Sequence, residues 1–340
     1  MVIGLMHWSY LTLAGVLLLG GLLITGVTIA IMAVSILRPP RMSDGKALWV
    51  LRRMSPGDVG LLFETVWFQV RDERSGSKIS IAGWWIPCAS AEGRCVILLH
   101  GYADAKVGAI AWAPLWHELG FNILAIDLRT HGESQGTYSS GGYWERHDIS
   151  QVINEIRAQR PAETQKLVLF GASLGATVAL ATAALRDDLS AVVLDSPYND
   201  FRDAAMAQMD RLGAPGRPFQ IAALWLAGKL GHADFADVRL LDLLLKTRAS
   251  VLAILPERDP LTAGDIRQQI ENAISERAYH GSVDQTWVVP DCDHLLALAC
   301  KPAEYREHLE RFLLQTLGAR AQLGPRIDKA PIGTTINEES

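Results

Sequence analysis

The sequence of 340 residues has few cysteines, no strong positive charge, no repeats and no low-complexity tracts. Its cysteines are Cys88, Cys95, Cys292 and Cys300. None belongs to a Cys-x-x-Cys pair, so we expect neither a metal site nor a disulfide framework. The net charge is −5, and we therefore expect no general nucleic-acid partner. The chain contains no repeats or low-complexity tracts. Its length is enough for one large α/β domain with a sizeable core.

Ionisable side chains are missing from Leu11 to Leu37, a run of 27 residues. As an α-helix this run would extend about 40 Å, against about 30 Å for the hydrocarbon core of a bilayer. Residues 1–37 contain no Lys or Arg, whereas residues 38–53 contain five. The positive-inside rule then predicts a single-pass membrane protein whose remaining residues face the cytoplasm. The alternative is a cleaved signal peptide, which has a basic first region and a shorter apolar one.

These patterns divide the chain into four predicted segments. They are a transmembrane anchor at 1–37, a basic juxtamembrane linker at 38–60, a globular domain at 61–318 and a flexible tail at 319–340. Pro39-Pro40 ends the first helix, because proline cannot continue it. The tail is predicted to be loose because it holds Gly, Pro and polar residues without periodicity.

Strand-like and helix-like runs alternate through the globular segment. The runs Val66–Val70 and Ile79–Pro87 flank a polar turn and predict an antiparallel hairpin. The later strand-like runs are 95–99, 122–126, 166–170, 191–194, 251–255 and 286–289. Because these alternate with helical patterns, we predict an α/β fold with a mostly parallel eight-stranded sheet and helices on both faces.

The pentapeptide Gly171-Ala172-Ser173-Leu174-Gly175 lies between a strand-like run and an apolar helical run. Glycine at both ends permits a very tight turn, since glycine has no Cβ to clash. A serine on such a strand-to-helix turn is lifted off the carboxyl edge of the sheet and is typical of a nucleophile.

A serine hydroxyl becomes a nucleophile only when a base takes its proton and a carboxylate orients the base. Asp259 follows the run 251–255, and His294 follows the run 286–289. Both are therefore expected at the same sheet edge as Ser173. Glu257 lies in the same loop as Asp259 and is the alternative acid.

An oxyanion formed at the serine would need two hydrogen-bond donors. We predict the backbone N–H of Leu174, directly after the serine, as one donor. The second candidate is the N–H of Tyr102, in the His100-Gly101-Tyr102 loop that follows the run 95–99. His100 itself is interpreted as a structural histidine bonded to the backbone.

The interval between Pro197 and Arg248 interrupts the alternation with about 50 residues of helical periodicity. We interpret residues 199–236 as a small helical cap above the serine, where insertions of parallel sheets meet ligands. The alternative is a long crossover that packs on the flank of the sheet.

Five segments together resemble the α/β-hydrolase superfamily. They are Leu98-Leu99-His100-Gly101, residues 127–134, residues 171–175, residues 257–260 and Asp293-His294. They stand in the family's order, although Thr130 replaces the glycine usual in the second segment and Pro256-Glu257 departs from the usual start of the acid loop. The resemblance implies Ser173 as nucleophile, Asp259 as acid and His294 as base, with no metal or organic cofactor.

The predicted anchor and short cap are similar to the membrane-anchored abhydrolase-domain proteins. That resemblance implies a serine hydrolase that forms an acyl-enzyme from a carboxylic ester or thioester, with a lipid as one candidate substrate and the bilayer as partner. Two alternatives stay open. One is a serine peptidase or acyltransferase on the same fold, and the other is a non-catalytic membrane-tethered interaction module.

Overall fold

The computed structural model of the protein describes residues 2–262, 264–279 and 283–318. The tail predicted at 319–340 lies outside the described residues. An eight-stranded sheet forms the centre of the fold. In chain order its strands are β1 Glu64–Arg71, β2 Lys78–Ile86, β3 Arg94–Leu99, β4 Asn122–Ile126, β5 Lys166–Ala172, β6 Ala191–Asp195, β7 Ser250–Pro256 and β8 Gln285–Val289.

The strands lie side by side in the order β1-β2-β4-β3-β5-β6-β7-β8. β2 pairs antiparallel with β1 and with β4, and all other neighbours are parallel. Every residue of the central strands β3 and β4 is buried, which explains their unbroken apolar runs, because a parallel strand is covered on both faces. The prediction of a mostly parallel eight-stranded sheet is confirmed.

Helices cover both faces of this sheet. In chain order the described helices are α1 Val2–Leu37, α2 Asp44–Leu51, α3 Lys106–Ala109, α4 Ala113–Glu118, α5 Glu145–Gln159, α6 Leu174–Ala183, α7 Phe201–Arg211, α8 Arg217–Gly231, α9 Leu240–Lys246, α10 Asp265–Tyr279, α11 Ala297–Cys300 and α12 Pro302–Leu317. One apolar core cluster lies under α5, α6 and α9, and a second lies under α4 and α12. The α/β class with helices on both faces is therefore confirmed.

Helix α1 has two parts with different surroundings. Thr12–Leu37 has a mean hydropathy of 2.4 and is long and apolar enough to cross a membrane. Leu17 and Leu23 are 67% and 69% exposed, whereas Ala33 and Leu37 near the carboxyl end are fully buried. This end of α1 packs along α8 and joins the core cluster under α5 and α6.

The segments predicted as linker and cap also contain helices. Helix α2 and a 3₁₀ turn at Pro56–Val59 lie within residues 38–60, and Ala47 of α2 is buried in the second core cluster. Residues 199–236 hold α7 and α8, which connect β6 to β7 through a further 3₁₀ turn and α9. The helical pattern of this insertion was therefore visible in the sequence.

Candidate active site

Ser173 stands on the turn between β5 and α6 with a strained backbone. Its φ is 53° and its ψ is −114°, a conformation that residues with a side chain rarely adopt. A Cβ at position 171 would overlap the carbonyl oxygen of Gly175, and a Cβ at position 175 would overlap the carbonyl oxygen of Leu99. Both glycines are therefore required, as the pentapeptide pattern predicts.

Changing Gly175 to alanine is expected to lower the free energy of unfolding by about 3 kcal/mol, because the new methyl group meets backbone that cannot rotate away. Gly216, at the amino end of α8, is the matched control, since nothing lies within 4 Å of a Cβ there. Thermal unfolding of the two variants measures the difference. Equal melting temperatures for Gly175→Ala and Gly216→Ala would contradict this account of the turn.

The structure brings Ser173, His294 and Asp259 into one hydrogen-bonded chain. The Nε2 atom of His294 lies 3.0 Å from Oγ of Ser173, and its Nδ1 atom lies 2.6 Å from Oδ2 of Asp259. Asp259 is 1% exposed, and its Oδ1 atom accepts a hydrogen bond from the N–H of Leu261 at 2.9 Å. A carboxylate held in this way keeps the N–H of His294 on Nδ1 and leaves Nε2 free to accept the serine proton.

Glu257, the alternative acid, is directed elsewhere. Its side-chain Oε2 atom accepts a hydrogen bond from the N–H of Asp291 at 3.0 Å, and the side chain is exposed. Among the described residues it makes no hydrogen bond with His294, whereas Asp259 does. The geometry therefore favours Asp259 as the partner of the histidine.

A buried group that the sequence analysis did not single out supports the His294 loop. The N–H of Leu295 donates to Oγ of Ser196 at 2.9 Å, and the Ser196 hydroxyl donates to Asp195 at 2.9 Å. Asp195 also accepts hydrogen bonds from the Tyr305 hydroxyl at 2.8 Å and from the Trp112 indole at 3.2 Å. These contacts tie the loop after β8 to the end of β6.

The sequence does carry one signal for this group. Asp195 is the last residue of the buried parallel strand β6 and Ser196 directly follows it, at the same edge of the sheet as Asp259. Burial raises the pKa of Asp195, while hydrogen bonds from Tyr305, Ser196 and Trp112 oppose that rise. A fully buried carboxyl with three neutral donors is consistent with a structural role beside His294.

The loop from β3 to α3 passes against the serine. A Cβ at Gly101 would lie 3.6 Å from Cβ of Ser173, which is ordinary van der Waals contact. Among the described residues, neither the N–H of Tyr102 nor that of Leu174 donates a hydrogen bond to a protein acceptor. Both predicted N–H donors are thus available to bind an oxyanion, and both belong to segments that adjoin Ser173.

The histidine of this loop, His100, is bound to backbone. His100 is buried, its Nδ1 atom lies 2.7 Å from the carbonyl oxygen of Gly101, and its Nε2 atom accepts from the N–H of Leu128 at 3.0 Å. Burial holds the pKa of His100 well below its ordinary value. This agrees with the interpretation of His100 as structural.

In the described part of the chain, no three His, Cys, Asp or Glu side chains are grouped to hold a metal ion.

A groove of about 940 Å³ lies between α7 and α8. Apolar Ile221 and Trp225 line it together with Asp200, which pairs with both Arg202 and Arg239. None of Ser173, Asp259 and His294 is among its lining residues. The groove is therefore separate from the hydrogen-bonded chain at the serine.

Several known proteins are similar to this chain. The uncharacterized protein YfhR of Escherichia coli O157:H7 is 26% identical over 266 residues, which cover 75% of this chain and 81% of YfhR. The esterase Pf2001 of Pyrococcus furiosus has a TM-score of 0.63 at 22% identity, with 82% of this chain and 100% of that chain covered. The acylaminoacyl peptidase of Pyrococcus horikoshii has a TM-score of 0.53 at 13% identity, with 78% and 43% covered. These two structures share the fold.

A family model places the chain more specifically. The Hydrolase_4 model, described as serine aminopeptidase, S33, matches residues 91–278, just over half of the chain. The matched range includes the turn at Ser173 and the loop that holds Asp259. The resemblance to the α/β-hydrolases is confirmed, and the chain belongs to the S33 serine aminopeptidase family of α/β-hydrolases.

Proposed function

We propose that this α/β-hydrolase is a membrane-anchored serine hydrolase that cleaves a carboxylic ester or thioester. The observation that carries the proposal is the chain from Oγ of Ser173 through His294 to Asp259, with distances of 3.0 and 2.6 Å. A serine, a base and a buried acid in this order are the parts that acyl transfer needs. Their hydrogen-bonded arrangement supports catalysis over the alternative of a non-catalytic interaction module.

The reaction proceeds in two acyl-transfer steps. Oγ of Ser173 attacks the carbonyl carbon of the substrate while Nε2 of His294 takes the hydroxyl proton. The carbonyl oxygen becomes an oxyanion, which the N–H groups of Tyr102 and Leu174 bind. When the tetrahedral intermediate collapses, the alcohol or thiol leaves with the proton from His294. Water, deprotonated by the same histidine, then attacks the acyl-enzyme and releases the acid.

Helix α1 is proposed as the anchor of the enzyme. Its residues from Thr12 onward are apolar and mostly exposed, while its carboxyl end packs on the catalytic domain. Lys and Arg are absent before residue 38 and frequent directly after it, which supports a cytoplasmic catalytic domain. An active serine in a domain that packs on such an anchor favours a lipid ester or a lipidated protein as the acyl donor.

Labelling with a fluorophosphonate probe tests the proposal. Full-length protein in detergent is expected to react at Ser173, because the probe phosphonylates a serine whose proton a histidine can take. Peptide mass spectrometry identifies the labelled residue, and the Ser173→Ala variant is the control. A wild-type chain that stays unlabelled while another serine hydrolase in the same sample reacts would refute the proposed function.

A peptidase is the second candidate, because the matching family is described as serine aminopeptidase. A peptidase must protonate a poor amine leaving group, so amide and ester substrates separate the two activities. We expect p-nitrophenyl esters to be hydrolysed faster than aminoacyl p-nitroanilides of matched acyl groups. Faster cleavage of the anilides would favour the peptidase.

A further inference from the structure

The carboxyl end of α1 is held by the catalytic domain through its backbone carbonyls. The last carbonyl groups of a helix have no partner within the helix and need one outside it. Here the Tyr102 hydroxyl donates to the carbonyl oxygens of Ser35 at 2.9 Å and of Ile36 at 3.1 Å. The N–H of Ser139 donates to the carbonyl oxygen of Leu37 at 2.8 Å. Three consecutive carbonyls at the end of α1 are thus bound by two loops of the domain.

Packing fixes the same end of the helix. Ala33, Ile36 and Leu37 belong to the core cluster under α5 and α6. Leu37 also contacts the end of α8, where a Cβ at Gly231 would lie 3.3 Å from its side chain. The last turns of α1 are therefore a part of the folded domain and not the start of a loose tether.

Tyr102 connects this helix end with the serine. The residue precedes α3 in the loop whose Gly101 lies against Ser173. Its hydroxyl donates to the end of α1, and burial raises the pKa of that hydroxyl to about 12. Its ring packs edge-on against His131, with 6.1 Å between the ring centroids. Its backbone N–H is one of the two N–H groups described above that donate to no protein acceptor among the described residues.

We propose that Tyr102 is a positioning residue through which α1 sets the geometry of the oxyanion site. By holding the hydroxyl, the carbonyls of Ser35 and Ile36 hold the loop, and the loop places the N–H of Tyr102 near Ser173. This inference rests on the proposed function. Its consequence is that α1 takes part in transition-state stabilisation in addition to anchoring the enzyme.

The Tyr102→Phe variant of the full-length chain tests the inference, because it keeps the backbone N–H and the ring but removes the bond to α1. With a short-chain p-nitrophenyl ester in detergent, kcat is expected to fall about 3- to 10-fold with KM unchanged. A trifluoromethyl ketone forms an oxyanion on the serine, so its inhibition constant is expected to rise by the same factor. A merely structural role would not link these two quantities.

Tyr138→Phe is the matched control. The Tyr138 ring packs against Arg38, which directly follows α1, with the guanidinium carbon 5.2 Å from the ring centroid. Among the described residues its hydroxyl makes no hydrogen bond, and phenylalanine keeps the ring contact. This variant is expected to keep the wild-type kcat and inhibition constant.

Titration of the active serine with the fluorophosphonate probe counts the reactive sites and separates the outcomes. Unchanged kcat and unchanged inhibition in Tyr102→Phe would overturn the inference, and so would an activity loss that only reflects fewer titratable sites. A parallel change in kcat per titrated site and in inhibition would support it. A wild-type chain that takes up no probe would overturn the proposed function as well, and is seen before the variants are compared.

Discussion

Ser173→Ala is expected to lower the kcat for ester hydrolysis by about 10⁵-fold or more, since alanine offers no nucleophile to the acyl carbon. The loss should appear in kcat, because substrate binding does not need the hydroxyl. The fold should be unaffected, because among the described residues the Oγ atom of Ser173 bonds only to His294, within the candidate site itself. Steady-state kinetics check the loss in kcat, and an unchanged melting temperature checks that the fold is unaffected.

Ser190→Ala is the control for that change. Ser190 precedes β6, at the sheet edge opposite to the candidate site, and its hydroxyl makes no hydrogen bond in the described part of the chain. It should retain the wild-type rate. A Ser173→Ala variant with more than about 1% of the wild-type kcat would exclude Ser173 as the nucleophile.

Asp259→Asn is expected to lower kcat by about 10⁴-fold, the second-largest effect. The asparagine amide can donate to Nδ1 of His294, which then carries its proton on Nε2 and cannot accept one from Ser173. Since the two side chains have the same shape, the substrate site should be preserved. Steady-state rates and the rate of fluorophosphonate labelling should fall together.

Glu257→Gln distinguishes the two acids of the same loop. Glu257 is exposed and its carboxylate accepts from the N–H of Asp291, which a glutamine oxygen can also do. We expect kcat within about twofold of wild type. A large loss in Glu257→Gln together with a mild one in Asp259→Asn would reverse the assignment of the acid.

Most of the fold follows from local patterns in the sequence. Apolar runs of strand length, helical periodicity between them and a polar hairpin turn predict the sheet and its antiparallel start, because burial on both faces requires these patterns. The strands after which Asp259 and His294 lie were also visible, since the carboxyl ends of parallel strands meet at one edge. The segment boundaries at residues 37, 60 and 318 stay predictions.

Other parts of the candidate site could not be predicted from local patterns. The support of the His294 loop by Ser196 joins positions 99 residues apart. The sequence predicts an anchor at 1–37 followed by a linker at 38–60, and it does not show that the end of α1 packs in the core. Such contacts depend on how helices and loops pack against the sheet. No local sequence pattern near Ser35 predicts them.

Local patterns are enough to predict the order of the elements, the glycine-flanked turn at Ser173 and the sheet edge of the site, because periodicity and steric demand act between near neighbours. Which acid of one loop faces His294 is seen only in the folded protein. Only the tertiary structure joined Tyr102 to α1, across 67 positions of the chain. The physical reason is that a hydrogen bond needs a distance of about 3 Å, which the packing of distant segments sets.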